Sequence, residues 1–229
     1  MLGPKVPGRL LRLPHGDPAL HWLLGAVGLL VFVGEPLRSI GLIGGWPQAL
    51  LLAAILVVGL LGLKSPTRLT WPILLLGPLV LLALALTDID SPPFWRIPGG
   101  LLTALALALL AAALLRQVLA DGRVTVARIE GAIALYLLAA LVFALVYGVL
   151  EMASAGAFTL GPGNGPVQTL DRRFLYFSLV TQTSTGFGDV APVHDFARSV
   201  VTLQAVCGQI FTAVLLARLV SLEIMDRQR

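Results

Sequence analysis

Charge is what this sequence has least of: Asp, Glu, Lys and Arg make up 12% of its 229 residues, where a soluble domain carries about 25%. Hydrophobic residues make up 57%. A chain with so little polar surface cannot cover itself in water. The excess lies in long uncharged runs, so lipid must be the solvent for most side chains. Cysteine is almost missing. Cys207 alone excludes an intrachain disulfide framework and, set in an apolar run, reads as a small buried helix residue. Clustered acids and histidines inside the apolar runs are absent too. Asp88, Asp90, Glu130 and Glu151 all fall near run ends, which leaves catalysis no paired groups, and no enzymatic activity is expected. A secondary transporter places broken helices in both halves of an internal repeat; here the apolar pattern is interrupted once, late in the chain, and no repeat is present. The net charge of +4 sits in short loops between apolar segments and reports topology, with no nucleic-acid partner implied.

Six apolar runs approach the roughly 20 residues that a spanning helix needs, some barely. They cover about Ala19 to Gly34, Pro47 to Leu63, Leu69 to Thr87, Pro98 to Leu119, Ile129 to Met152 and Phe196 to Met225. Charges or prolines close the first three: Glu35-Pro36, Lys64-Ser65-Pro66 and Asp88. Lys5, Arg9 and Arg12 precede the first run as in a signal peptide, but no small-x-small cleavage site follows it, which favours a retained span. With six spans both termini share a face. Placing them inside puts eleven basic residues there and five outside, so the positive-inside rule favours cytoplasmic termini. The outer face then holds five basic and seven acidic residues, a mildly cation-attracting vestibule. The chain ends a few residues past the sixth run, and no cytoplasmic nucleotide-binding or ligand-sensing domain is expected on it.

Between the fifth and sixth runs the composition changes. Residues 153 to 170 are rich in glycine, proline and small residues and read as a surface loop. Asp171 to Thr183 is amphiphilic, too short to span, and suits a re-entrant half-helix with Asp171 as its N-cap. Thr183-Ser184-Thr185-Gly186-Phe187-Gly188-Asp189 follows directly. A cation crossing hydrocarbon must exchange its hydration shell for comparable ligands, and a stack of backbone carbonyls supplies them. Turning consecutive carbonyls inward requires alternating ordinary and left-handed backbone, which glycine adopts freely. Gly186 and Gly188, two residues apart, provide that pattern; the Ser184 hydroxyl can add an inner ligand, and Phe187 points away to pack on the supporting helix. The half-helix directs its negative C-terminal end toward the membrane centre, favouring a cation there.

The stretch resembles the pore domain of the potassium channel family, whose filter reads Thr-Val-Gly-Tyr-Gly, often followed by Asp. Ser184, Thr185, Gly186, Phe187 and Gly188 stand at the matching positions, with Asp189 after them and the threonine-rich Thr181-Gln182-Thr183 before. Gly208, twenty residues after Gly188, falls where the family places the hinge glycine of its inner helix, and the resemblance extends over about residues 127 to 225. It implies potassium ions as the permeant ligand, bound through Ser184, Thr185, Gly186 and Phe187, and no cofactor. Tyr176 and Phe177 stand where many relatives carry tryptophans that brace the filter, and with Thr181, Thr183 and Asp189 they are its expected support. Serine and threonine in place of threonine and valine, and Phe187 without the tyrosine hydroxyl, bear on filter rigidity and leave a weakly selective cation channel as the alternative.

The expected fold is an all-α membrane protein: six transmembrane helices with a re-entrant pore helix and selectivity-filter loop between helices 5 and 6. Residues 1–18 form a cytoplasmic N-terminal segment, 19–122 a four-helix accessory domain, and 123–229 the pore domain. A voltage sensor needs several regularly spaced arginines in one span; the fourth run has Arg116 alone, so the accessory helices lack a recognisable sensor. In the last run Gly208, Thr212 and Leu216 recur every fourth residue, with Gln209 beside them, as candidate cavity and gate residues. Gln204 and Gln209 could equally hydrogen-bond to neighbouring helices, and Gly208 could serve close packing. His194 and Asp195 are better placed than His21 for proton sensing. One chain donates one loop and a carbonyl ring needs four, so the expected partners are the lipid bilayer of a cell membrane and three further copies of the chain, with no soluble partner evident.

Overall fold

A computed structural model of the chain describes residues 18–34, 37, 45–63, 70–86, 93–120, 125–160, 167 and 170–227. The charged and proline breaks at 35–36, 64–66 and 88, the glycine-rich 161–166 and the segment 1–17 lie outside the described residues. So do Lys5, Arg9, Arg12, Arg38, Lys64, Arg68 and Arg123, on which much of the orientation argument rests.

Seven helices are described: α1 Pro18–Leu29, continued by a π-helical turn Leu30–Gly34, α2 Gly45–Leu61, α3 Thr70–Leu86, α4 Pro93–Leu119, α5 Val126–Ala153, α6 Arg172–Gln182 and α7 Asp195–Arg227. Each apolar run has become a helix, because uninterrupted Leu, Ala and Val can satisfy their backbone only internally when no water is at hand. Among the described residues, three helices are long and apolar enough to cross a membrane: Trp95–Leu119, Val126–Ala153 and Asp195–Leu215. The first three are shorter. At 17 residues, α2 and α3 reach about 25 Å along their axes against a hydrocarbon core of about 30 Å. Helix α4 starts at Pro93, before the apolar run proper, and carries Pro98 inside it. A polar anchor accounts for the extension: buried Arg96, in the added turn, donates from Nη2 to the Val167 carbonyl.

Helix α5 is the centre of the molecule, packed against α1, α4, α6 and α7, while α2 and α3 complete the layer beside α4. Leu23, Ile55, Ile73, Leu107, Leu110, Leu114, Leu138 and Leu141 are fully buried in one continuous core. Polar contacts fix which helix ends share a side. His21 near the start of α1 meets Glu130 near the start of α5 at 3.2 Å; Gln117 near the end of α4 donates to the Gly62 carbonyl after α2 at 3.1 Å; Arg218 late in α7 donates to the Ala120 carbonyl after α4 at 2.6 Å. Gly131 near the start of α5 stands against both Leu20 of α1 and Val118 of α4, so the ends of α2, α4 and α7 lie with the starts of α1 and α5.

Helix α7 is barely covered by its own chain. Ala197, Gln204 and Gly208 are buried along one narrow stripe, whereas Leu203, Val206, Ile210 and Val214 are about half exposed or more. Cys207 is exposed on that uncovered side, which corrects the buried reading of its apolar run: an apolar helix of this kind need not turn every face inward.

The segment 153–160 is more ordered than a surface loop. Phe158–Thr159 (β1) pairs antiparallel with Ala191–Pro192 (β2), in the register Phe158 to Pro192 and Thr159 to Ala191. Glu151 holds the turn by accepting from the Gly156 and Phe158 amides at 2.8 and 2.9 Å.

Candidate functional site

Helix α6 begins where Asp171 caps it, the carboxylate accepting from the Arg173 amide at 2.9 Å. The Arg173 guanidinium returns to the same carboxylate at 2.8 Å, and this hydrogen bond holds its pKa above the usual value. The other end of α6 closes with two backbone bonds, Thr185 N–H to the Val180 carbonyl at 2.9 Å and Ser184 N–H to the Thr181 carbonyl at 3.0 Å. That pair is the Schellman pattern, whose C′ residue takes a left-handed backbone. Ser184 occupies the position with φ of 56°, and Gly186 and Gly188 follow at 59° and 80°. Thr185, Phe187 and Asp189 lie outside the positive-φ region, so the backbone alternates in hand at every residue from Ser184 to Asp189. Residues 183–189 are all exposed.

Side chains brace the loop from α6. The Tyr176 and Phe187 rings stack with centroids 6.3 Å apart and an interplanar angle of 2°, and the Tyr176 hydroxyl donates to Asp189 Oδ1 at 3.2 Å. Thr183 Oγ1 lies 2.9 Å from Thr185 Oγ1 and donates to the Leu179 carbonyl at 2.8 Å. Thr181 is buried, and its contribution to the loop is its carbonyl. Phe177, the neighbour of Tyr176, faces the other way: it packs against Tyr147 and Phe158, with centroids 5.4 and 5.9 Å away, in a cluster that also includes Phe174. Phe177 thus supports the back of α6, while Tyr176 supports the loop.

The residues anticipated on the last helix divide. Gly208 is buried against the end of α6: a Cβ there would stand 2.5 Å from the Gln182 carbonyl oxygen and 3.0 Å from Gln182 Cγ. Helix α7 runs unbroken through it, so in this arrangement Gly208 is a close-packing glycine. Gln209, the next residue, donates from Nε2 to Ser184 Oγ at 2.7 Å, and Thr212 returns its hydroxyl to the Gly208 carbonyl at 3.0 Å. The side chain of Leu216 lies outside the described residues. His194 Nδ1 accepts from the Phe196 amide at 3.2 Å, and Asp195 begins α7 with Arg198 3.7 Å away.

Gln204 hydrogen-bonds to neighbouring helices, as its place in an apolar run allows, and the buried polar network it centres behind the loop reaches further than the sequence indicates. Gln204 Nε2 reaches Ser178 Oγ, the Ser178 carbonyl and Gln182 Oε1 at 2.7, 3.1 and 3.1 Å, and its Oε1 accepts from Tyr147 at 2.5 Å. Ser178 donates onward to the Ala140 carbonyl at 2.7 Å. Gln182 donates to the Tyr136 carbonyl at 2.7 Å, and the Tyr136 hydroxyl donates back to the Gln182 carbonyl at 3.1 Å. Three helices, α5, α6 and α7, are joined through these groups. A signal existed in the sequence: Ser178 and Gln182 are one turn apart on α6, Tyr136 and Tyr147 about three turns apart on α5, and Gln204 is polar in an apolar helix.

Residues 132–223 match the family model described as an ion channel. The match is to ion-channel domains of the two-helix, potassium-channel-like kind and covers about two fifths of this chain. That domain begins in α5, includes α6 and the loop of alternating hand, and ends in α7. The chain is also 33% identical over 87 residues to Protein LctB of Bacillus caldotenax, an alignment covering 37% of this chain and 64% of that protein. No solved structure matches significantly. An ion-channel domain on apolar helices of this length makes the chain a membrane protein.

Proposed function

We propose that the chain is one subunit of a homotetrameric potassium-selective channel conducting potassium passively across the cell membrane, with six spans, cytoplasmic termini and α6 as a re-entrant pore helix. Residues 184–188 form one quarter of the selectivity filter, and Gln209, Thr212 and Leu216 line the cavity beneath it. The observation that carries the reading is the alternating backbone of the exposed loop, left-handed at Ser184, Gly186 and Gly188, directly after a capped helix. Alternating hand is what turns successive carbonyls to one side, and four such loops around an axis replace the water of a dehydrated cation. The partial negative charge at the C-terminus of α6 favours the ion there.

Assembly follows from what one copy leaves uncovered. The loop and three faces of α7 are exposed, and further copies around a fourfold axis would cover both. The shared side of the α1 and α5 starts and the α2, α4 and α7 ends agrees with an up-and-down path of six helices, the three short ones crossing with little tilt where the bilayer thins. Phe187 has no hydroxyl to anchor it beyond its stack on the Tyr176 ring, which favours weak discrimination between potassium and sodium as the second reading.

Vesicles reconstituted with the protein and loaded with a potassium gradient test both. Barium-blockable potassium flux well above sodium flux supports the proposal; equal fluxes replace it with the second reading; no flux from a stable tetramer overturns both.

A further inference from the structure

Ser184 is held twice. Its backbone is fixed in the left-handed region by the cap of α6, and its hydroxyl oxygen accepts from the Gln209 amide of α7 at 2.7 Å. Gln209 has little freedom to bring, because Gly208 beside it is pressed onto the Gln182 carbonyl and fixes the height of α7 against the end of α6. A serine hydroxyl has two lone pairs and one proton. With one lone pair taken by the Gln209 N–H, the remaining one is oriented by α7, as is the direction in which the hydroxyl proton must point.

We propose that Gln209 is a positioning residue for the innermost cation site. Resting on the channel reading above, the inference is that Gln209 orients the Ser184 hydroxyl at the inner mouth of the filter, so that cation affinity there depends on the register of α7. Any shift of α7 that lengthens the 2.7 Å bond releases the hydroxyl and weakens the site. The inner helix and the filter are thereby linked directly by a side-chain contact, beside the packing of Gly208 on the end of α6.

Barium, a divalent cation of nearly potassium size, reports on this site through block of potassium flux in reconstituted vesicles. Q209M keeps the side-chain length and removes the N–H; S184A removes the acceptor. Each single variant should raise the half-blocking barium concentration by about five- to tenfold, the ordinary worth of one hydrogen bond. The double variant should be no worse than S184A alone, because without the Ser184 hydroxyl Gln209 has nothing left to orient. Effects that multiply, or wild-type block in Q209M, overturn the inference and leave the channel reading intact. Loss of tetramer stability in Q209M with unchanged barium block assigns Gln209 to packing and overturns it as well. A wild-type protein that passes no cations at all removes the channel reading and this inference with it.

Discussion

Replacing Gly208 with alanine separates two roles for that residue by the sign of the effect. If its purpose were to let the inner helix bend, alanine would improve α7, because alanine is favoured over glycine in a helix by about 1 kcal/mol. The packing gives the opposite sign. The new Cβ would lie 2.5 Å from the Gln182 carbonyl oxygen, 3.0 Å from Gln182 Cγ and 3.2 Å from the carbonyl carbon, and two of these three neighbours are backbone atoms that cannot swing aside. Forcing an extra methyl into such a contact costs about 1–3 kcal/mol. Backing α7 away also stretches the Gln204 bond to Gln182 Oε1 and threatens the Tyr136 bond to the Gln182 backbone carbonyl, each worth about 1 kcal/mol. Set against the helix-propensity gain, a net loss of about 1–3 kcal/mol remains. Thermal unfolding of the purified protein in one detergent, wild type beside Gly208→Ala, reads it directly. An alanine variant as stable as wild type, or more so, would refute the close-packing account and restore the hinge.

Three further outcomes follow from the same geometry. Gln204→Leu strands the Tyr147 hydroxyl and Gln182 Oε1 in a buried site, while Ser178 Oγ keeps its bond to the Ala140 carbonyl, and should lower stability by about 2–4 kcal/mol in a denaturation series, more than Ser178→Ala, which leaves Gln204 other acceptors. Asp171→Ala removes the cap of α6 and the partner of Arg173, a loss of about 1 kcal/mol in the same assay, with Asp171→Asn retaining most of the capping. Gly186→Ala meets no neighbour within 4 Å but places a side chain at φ of 59°, where a non-glycine residue costs about 1–2 kcal/mol. Tetramers should still form, as cross-linking would register, while potassium flux is lost; full flux would remove residues 184–188 from the ion path.

The helices were legible because their cause is local. Long runs of Leu, Ala and Val with charges or prolines at their ends specify helix and boundary together, and the observed limits of α1, α2, α3, α5 and α7 lie within a few residues of the apolar runs. Helix α4 begins earlier than hydropathy indicates because Arg96, a charged residue, is tied to a distant carbonyl. The two-residue ribbon of β1 and β2 has no sequence signature; it exists because Phe158 joins the aromatic cluster of Tyr147, Phe174 and Phe177. At the loop, the glycine positions advertised left-handed backbone, but Ser184 did not. A serine at a C′ position is specified by the bonds from Ser184 and Thr185 back to α6, which only the folded chain displays. The Gln204 network was visible as polar residues in apolar segments, yet which of them meet depends on how α5, α6 and α7 are set against one another.

The central claim is that backbone oxygens of residues 184–188 from four copies surround a row of cations. Crystals grown with thallium(I), a strong anomalous scatterer of nearly potassium size, test it in one experiment. The account predicts anomalous peaks along a fourfold axis, flanked by the carbonyls of Ser184 to Gly188. An assembly in which this stretch lies away from any symmetry axis, or an axis without ions beside it, would contradict it.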